Sequence, residues 1–114
     1  MRWFEKIKTA HLAVTDAVSH YERLKSDRYL VWQEDGDNQL RAGNAVCERA
    51  ITGTTDLYTK IEYDPWIDAL QKAFDNHGIS WYLNSVQYED DTGFIHTEWV
   101  WEVDDGEDIV QGVV

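Results

Sequence analysis

Cysteine is nearly absent from the 114 residues: Cys47 stands alone. That excludes an internal disulfide and any zinc site built from several cysteines. Basic residues are scarce too, 10 Lys and Arg against 22 Asp and Glu, for a formal net charge of −12. Such a surface repels nucleic-acid phosphates and anionic membranes, which argues against DNA or RNA binding through a basic patch. Basic protein partners, cations, or repulsion for its own sake remain. No apolar run approaches membrane length, and Glu5 and Lys8 break the start where a secretory signal needs an unbroken apolar core. The expectation is a protein neither secreted by that route nor inserted in a bilayer. No internal repeat, Pro/Gly/Ser linker or low-complexity run divides the chain. Its length suits one domain with a single modest core, expected over residues 1–103. The acidic end from Asp104 to Asp108 and the weakly apolar residues after it read as a flexible, solvated tail, 104–114.

Aromatic residues are abundant, with six Trp, six Tyr and three Phe, and they argue against disorder. The chain is organised around Ala50 to Gly78. In its first half Ile51, Gly53, Thr55 and Leu57 alternate with Thr52, Thr54, Asp56 and Tyr58, the period of a half-buried strand. In its second half Asp64 can cap a helix, Pro65 fits the first helical position, and Ile67, Leu70 and Phe74 recur at helical spacing up to Gly78, a left-handed cap. Before it, Phe4, Ile7, His11, Val14, Val18 and Tyr21 predict an amphipathic helix from Trp3 to about Leu24, packed on the sheet or, alternatively, paired as a coiled coil. Arg28 to Glu34 predicts a central strand, Asp35 to Asn38 a turn, and Gln39 to Asn44 an exposed loop, with the sheet resuming near Val46. Ile79–Glu89 and Phe94–Val103 predict a β-hairpin turning at Gly93, with the face of Trp99, Trp101 and Val103 toward the helices. The fold class is therefore α+β, of order α-β-β-β-α-β-β: a mixed, mainly antiparallel sheet with two helices on one face, ending in a β-hairpin. A bare opposite face, carrying Tyr29 or Trp32, Tyr58 and Val100, would be a candidate partner surface.

Catalytic and ligand motifs fail on spacing. His11, His20, His77 and His96 are scattered singly, with no His-Glu-x-x-His pair. His96 and Glu98 share a strand face and could form a base with its orienting carboxylate, but no Ser or Cys nucleophile is placed by a recognisable elbow. Asp35-Gly-Asp-Asn38 opens like a calcium loop, yet Leu40 and Val46 occupy the positions where that loop needs glycine and a bidentate acid. Glu89, Asp90 and Asp91 could gather a weak cation, though solvated turn acids are the plainer reading. Gly43 and Gly53 stand alone, so there is no phosphate loop. Acidity could also mimic DNA, with carboxylates spaced like phosphates about 1.7 Å apart along the duplex axis. The acids fall mainly in turns, caps and the tail instead, as solvation of a small surface requires.

The segments Tyr29-Leu-Val-Trp32, Gly53-Thr-Thr-Asp-Leu-Tyr-Thr-Lys60, Asp64-Pro-Trp-Ile-Asp-Ala-Leu70, Trp81-Tyr-Leu-Asn-Ser-Val-Gln-Tyr-Glu89 and Asp91-Thr-Gly-Phe-Ile-His-Thr-Glu-Trp-Val-Trp-Glu-Val103 together resemble the tail-terminator, or minor tail-completion, proteins of long-tailed bacteriophages and prophages. The resemblance implies an α+β domain that assembles as a ring, commonly of six, on the end of the tail tube, stops tube growth and presents a surface to head-completion proteins. It implies no catalysis and no cofactor, and a location in the host cytoplasm during assembly and then at the virion neck or tail. Candidate subunit or tube contacts are Asp35, Asp37, Gln39, Arg41 and Asn44 in the loop and Glu89, Asp90 and Asp91 at the hairpin tip, because they are polar and sit at element ends where one subunit can reach the next. The rival reading is an acidic DNA mimic or other inhibitor of a host DNA-binding enzyme.

Overall fold

A computed structural model describes residues 1–42 and 45–104. Its elements are α1 (Trp3–Leu12), β1 (Val18–His20), β2 (Arg28–Ala42), β3 (Ala45–Thr59), α2 (Trp66–Asn76), β4 (Ser80–Tyr88) and β5 (Ile95–Asp104). The strands form one five-stranded sheet in the order β1-β2-β3-β5-β4. β1 runs parallel to β2, and every other neighbouring pair is antiparallel. The architecture is the α+β layer that the patterning predicts, in the predicted order of elements.

Two stretches differ from the sequence expectation. The first helix stops at Leu12 instead of running to Leu24. The amides of Val14 and Thr15 both turn back to the His11 carbonyl, and the Thr15 hydroxyl accepts from the Ala17 amide at 3.0 Å, a local bond that competes with helix. Val18, Ser19 and His20 then pair in parallel with Leu30, Val31 and Trp32. Val14 and Val18 do reach the main core, as helical spacing predicts, but from a turn and a strand. The second difference is at Asp35 to Asn38, where β2 continues instead of turning. Gly36 pairs with Thr52 and Asp37 with Ile51, and a register shift between Glu34 and Gly36 makes Asp35 a bulge. The backbone of Gln39 and Arg41 is also strand, not loop. β5 pairs with β3 only as far as Ala50, so the ends of β2 and β3 beyond it form a two-stranded ribbon. The molecule is elongated, 54 × 24 × 22 Å.

The main core lies between the sheet and both helices. Leu30, Trp32, Ile51, Leu57, Trp99, Trp101 and Val103 from the sheet meet Ile7 and Ala10 of α1 and Leu70, Ala73 and Phe74 of α2. Trp99 and Trp101 are fully enclosed, and an indole that size contributes on the order of 200 Å² of buried surface. α2 is fixed at both ends as its sequence predicts. The Asp64 carboxylate accepts from the Trp66 amide at 2.9 Å, the bond of an N-terminal cap. At the other end Gly78 sits at φ +71°, and the Ile79 amide reaches the Phe74 carbonyl while the Gly78 amide reaches that of Asp75. These are the paired bonds of a Schellman motif, which a glycine in the left-handed region permits. The opposite face of the sheet is not bare. Tyr29, Val31 and Tyr58 are buried there beneath Ala17 and Phe94, and Trp32 belongs to the helix side.

Candidate interaction surfaces

The sequence-derived contact residues fall in two groups at opposite ends of the sheet. Asp35 lies at the bulge, exposed, where its carboxylate accepts from the Thr52 hydroxyl at 2.9 Å, and exposed Asp37 lies opposite Ile51, just before the ribbon. Gln39 and Arg41 lie along that ribbon, and Asn44 falls outside the described residues. Glu89, Asp90 and Asp91 are at the β4–β5 turn. There the Glu89 amide donates to the Phe94 carbonyl at 2.8 Å, and Gly93 takes φ +78° as predicted. Asp35 lies next to the level of Thr52 on β3, whereas the turn lies just past the level of Thr59. Seven residues of strand separate the two groups by roughly 23 Å. They do not converge on one site.

The four histidines each have a definite place. His96 does not use Glu98, which instead accepts from the Asn84 amide nitrogen at 2.7 Å. His96 Nε2 donates to Asp56 Oδ1 at 2.7 Å, its Nδ1 lies 3.7 Å from Glu89 Oε2, and its ring stacks on Tyr58. The bond to Asp56, outweighing burial, raises its pKa. With a carboxylate near each ring nitrogen, the protonated form of His96 is favoured. His77 Nδ1 donates to the Ala73 carbonyl at the end of α2. Among the described residues, no three His, Cys, Asp or Glu side chains gather into a metal site.

His11 is fully buried between the helices and the sheet. Its Nδ1 lies 2.7 Å from the Ile7 carbonyl, which can only accept, so Nδ1 carries the proton. Nε2 therefore accepts from the Thr55 hydroxyl at 2.9 Å, and the same oxygen accepts from Trp101 Nε1 at 2.9 Å. Burial, offset in part by the Ile7 carbonyl, lowers the pKa from 6.5 to about 4. Because the folded value lies below the unfolded one, this histidine's contribution is intact above pH 6.5 and is lost as pH falls toward 4. The loss across that window is about 3 kcal/mol. Urea unfolding at a series of pH values should show that slope in the native protein and a flatter one in His11→Leu; parallel curves would refute it.

The two edges of the sheet are unlike. β1 is short, and Tyr21 ends it at φ +75°, a conformation that is strained for a tyrosine. The strain is held by a stack of Tyr21 on His20 on Trp32, with centroids 3.8 and 3.9 Å apart, and by Glu34. Glu34 accepts from His20 Nε2 at 2.7 Å and from the Tyr21 hydroxyl at 2.8 Å. Burial pushes the Glu34 carboxyl up, and these bonds more than reverse it. Short edges and abrupt turns of this kind discourage further pairing. β4 is different. It runs nine residues, Ser80–Tyr88, with no charged side chain, and it leaves Tyr82, Leu83, Val86 and Tyr88 exposed. Sequence reasoning did not single this strand out as a surface. The available signal was its lack of charge in a chain that is 28% charged.

No protein-family model matches the chain, and no curated protein is significantly similar to it.

Proposed function

We propose that the chain is a structural tail-terminator protein of a long-tailed phage or prophage. In this reading it forms a ring on the end of the tail tube, stops polymerisation there and offers the joining surface for head-completion proteins, without catalysis or cofactor. It works in the host cytoplasm during assembly and then at the virion neck. The observation that carries this reading is the placement of the resembling segments. Tyr29–Trp32 lies in β2, Gly53–Thr59 in β3, Asp64–Leu70 at the capped start of α2, and the last two segments form the β4–β5 hairpin of an α+β layer with both helices on one face. A ring also needs a head-to-tail contact between two different surfaces, and the ribbon and the β4–β5 turn offer such surfaces at opposite ends of the sheet.

The test is molar mass by light scattering across ionic strength, alone and with purified tube protein. Rings on tube ends, or rings promoted by salt that screens the −12 charge, support the reading. Arg41→Glu should abolish them with folding intact. A chain that ignores tubes and instead displaces DNA from a basic enzyme would replace the terminator reading with that of an acidic inhibitor, which the net charge favours.

A further inference from the structure

We propose that β4 is a self-association strand: β4 of one copy pairs antiparallel with β4 of a second copy, about a twofold axis passing between Asn84 and Ser85. This goes beyond the terminator reading. A twofold contact is complete at two copies, whereas a ring needs a head-to-tail contact.

Three observations carry it. First, β4 is an outer strand with β5 on one side only. Its outward row of backbone N–H and C=O groups is a template for another strand, and apart from the bulge at Asn84 neither charge, proline nor shortness protects it.

Second, its side-chain pattern is self-complementary. On β5 the partners of Trp81, Leu83, Val86 and Tyr88 are Trp101, Trp99, Thr97 and Ile95, so these four β4 residues share the helix-bearing face. Those of Tyr82, Ser85 and Gln87 are Val100, Glu98 and His96, on the other face. In an unbulged strand, residues an odd number apart point to opposite faces, and Leu83 could not match Val86 across a twofold axis. The register shift between Leu83 and Ser85 inserts Asn84 and resets the alternation. With the axis beside Asn84, Leu83 of each copy faces Val86 of the other, Trp81 faces Tyr88, and both pairs lie on the helix-bearing face. Tyr82 faces Gln87 on the opposite face. Moving the register by one residue sets Leu83 against Ser85 and destroys the match. Aliphatic and aromatic cross-strand pairs of this kind are the stabilising unit of a sheet.

Third, charge permits a second copy at this edge. Two copies, each carrying −12, repel over most approaches, but β4 meets β4 with no charge on either strand. Of the approaches open to a second copy, this one brings no charged side chain of either strand against another. Leu83, Val86 and Tyr88, each 46–65% exposed, are the side chains such pairing would cover.

Sedimentation equilibrium through the micromolar range should give twice the chain mass for the native protein. Leu83→Lys with Val86→Lys should return it to the single-chain mass. The lysines reduce the net negative charge, so general repulsion cannot explain that loss. Register is read separately in a Cys47→Ser background, with folding checked by circular dichroism. Leu83→Cys together with Val86→Cys should cross-link copies under oxidation, and either substitution alone should not. Within one strand the two positions are about 10 Å apart, too far for a disulfide between Cα atoms that needs less than about 7 Å. A native protein that stays monomeric, a dimer indifferent to the lysines, or single-cysteine variants that cross-link as well as the double one would overturn the proposal. So would a monomer whose β4 amides gain exchange protection only when tube protein is added, since that would assign the edge to a different chain.

Discussion

Gly53→Ala is expected to destabilise the fold by about 3 kcal/mol, at the upper end of what an overpacked methyl group costs. Gly53 is buried in β3 between Glu34 of β2 and Trp101 of β5. A Cβ there would collide with the Trp101 ring edge on one side and the Gln33 carbonyl oxygen on the other. The second obstacle is backbone, so a change of rotamer cannot relieve it. The first is a fully enclosed indole whose Nε1 donates to Thr55, the hydroxyl that supplies the proton for His11 Nε2. Displacing Trp101 therefore also disturbs the polar chain that holds β5, β3 and α1 together. For a domain whose total stability is of the order of 5–15 kcal/mol, that is a large fraction. The urea midpoint should fall sharply with the slope unchanged. Gly36→Ala is the control, because the added methyl meets only the Thr52 hydroxyl, at an ordinary 3.5 Å. Its change should stay within about 0.5 kcal/mol. Equal midpoints for Gly53→Ala and the native protein would show that Trp101 does not pack against this glycine.

Gly53 also marks what the sequence could convey. Its alternation with Ile51, Thr55 and Leu57 is a local pattern, and the structure reproduces it as the helix-facing side of β3. Asp64, Gly78 and Gly93 were legible for the same reason, since caps and turns are made by a residue and its immediate neighbours. The overrun of α1 arose where a local period had two solutions. Val14 and Val18 fall at helical spacing, yet a turn plus a strand delivers them to the same core, and the parallel partner Leu30–Trp32 that decides the matter is remote in the chain. Asp35 and Gly36 suit a turn or a bulge equally, and the pairing of β2 with β3 selects the bulge. His96 and Glu98 do share a strand face, but the strong bond goes diagonally across the pair to Asp56. Glu89, Asp90 and Asp91 were legible as a polar turn, whereas Asp35, Asp37, Gln39 and Arg41, expected in a turn and loop, lie within β2, and the structure keeps the two groups apart. That β4 is an edge follows from β5 taking the place beside β3, a choice of strand order that a hairpin pattern alone leaves open.

Asp64→Ala is expected to cost about 3 kcal/mol, because it removes the enclosed partner of a half-buried ion pair and leaves the Thr59 hydroxyl, the Trp66 amide and the Arg28 guanidinium without their acceptor. The Asp64 side chain is fully enclosed, and its oxygens accept from four donors. Arg28 binds it bidentately, with Nε at 2.8 Å from Oδ2 and Nη2 on Oδ1. The Thr59 hydroxyl donates at 2.7 Å and the Trp66 amide at 2.9 Å. The Arg28 guanidinium also lies 3.7 Å from the centroid of the Trp66 ring, so one carboxylate orients the arginine that covers the first turn of α2. Burial pushes the Asp64 carboxyl up, and the bonds from Arg28, Trp66 and Thr59 outweigh it, leaving the pKa below its ordinary 3.8. A carboxyl lowered in the folded state contributes stability that is present above 3.8 and is lost only as pH falls through the folded value. The Asp64 effect should therefore persist unchanged through the pH 6.5 to 4 window where His11 acts, and disappear in stronger acid. Arg28→Met combined with Asp64→Ala separates the pair from its parts. If most of the cost is the stranded guanidinium, the double variant should be clearly more stable than the sum of the single losses predicts. Strict additivity would instead place the cost in the lost cap of α2 and the buried Thr59 hydroxyl, and would make Arg28 a bystander.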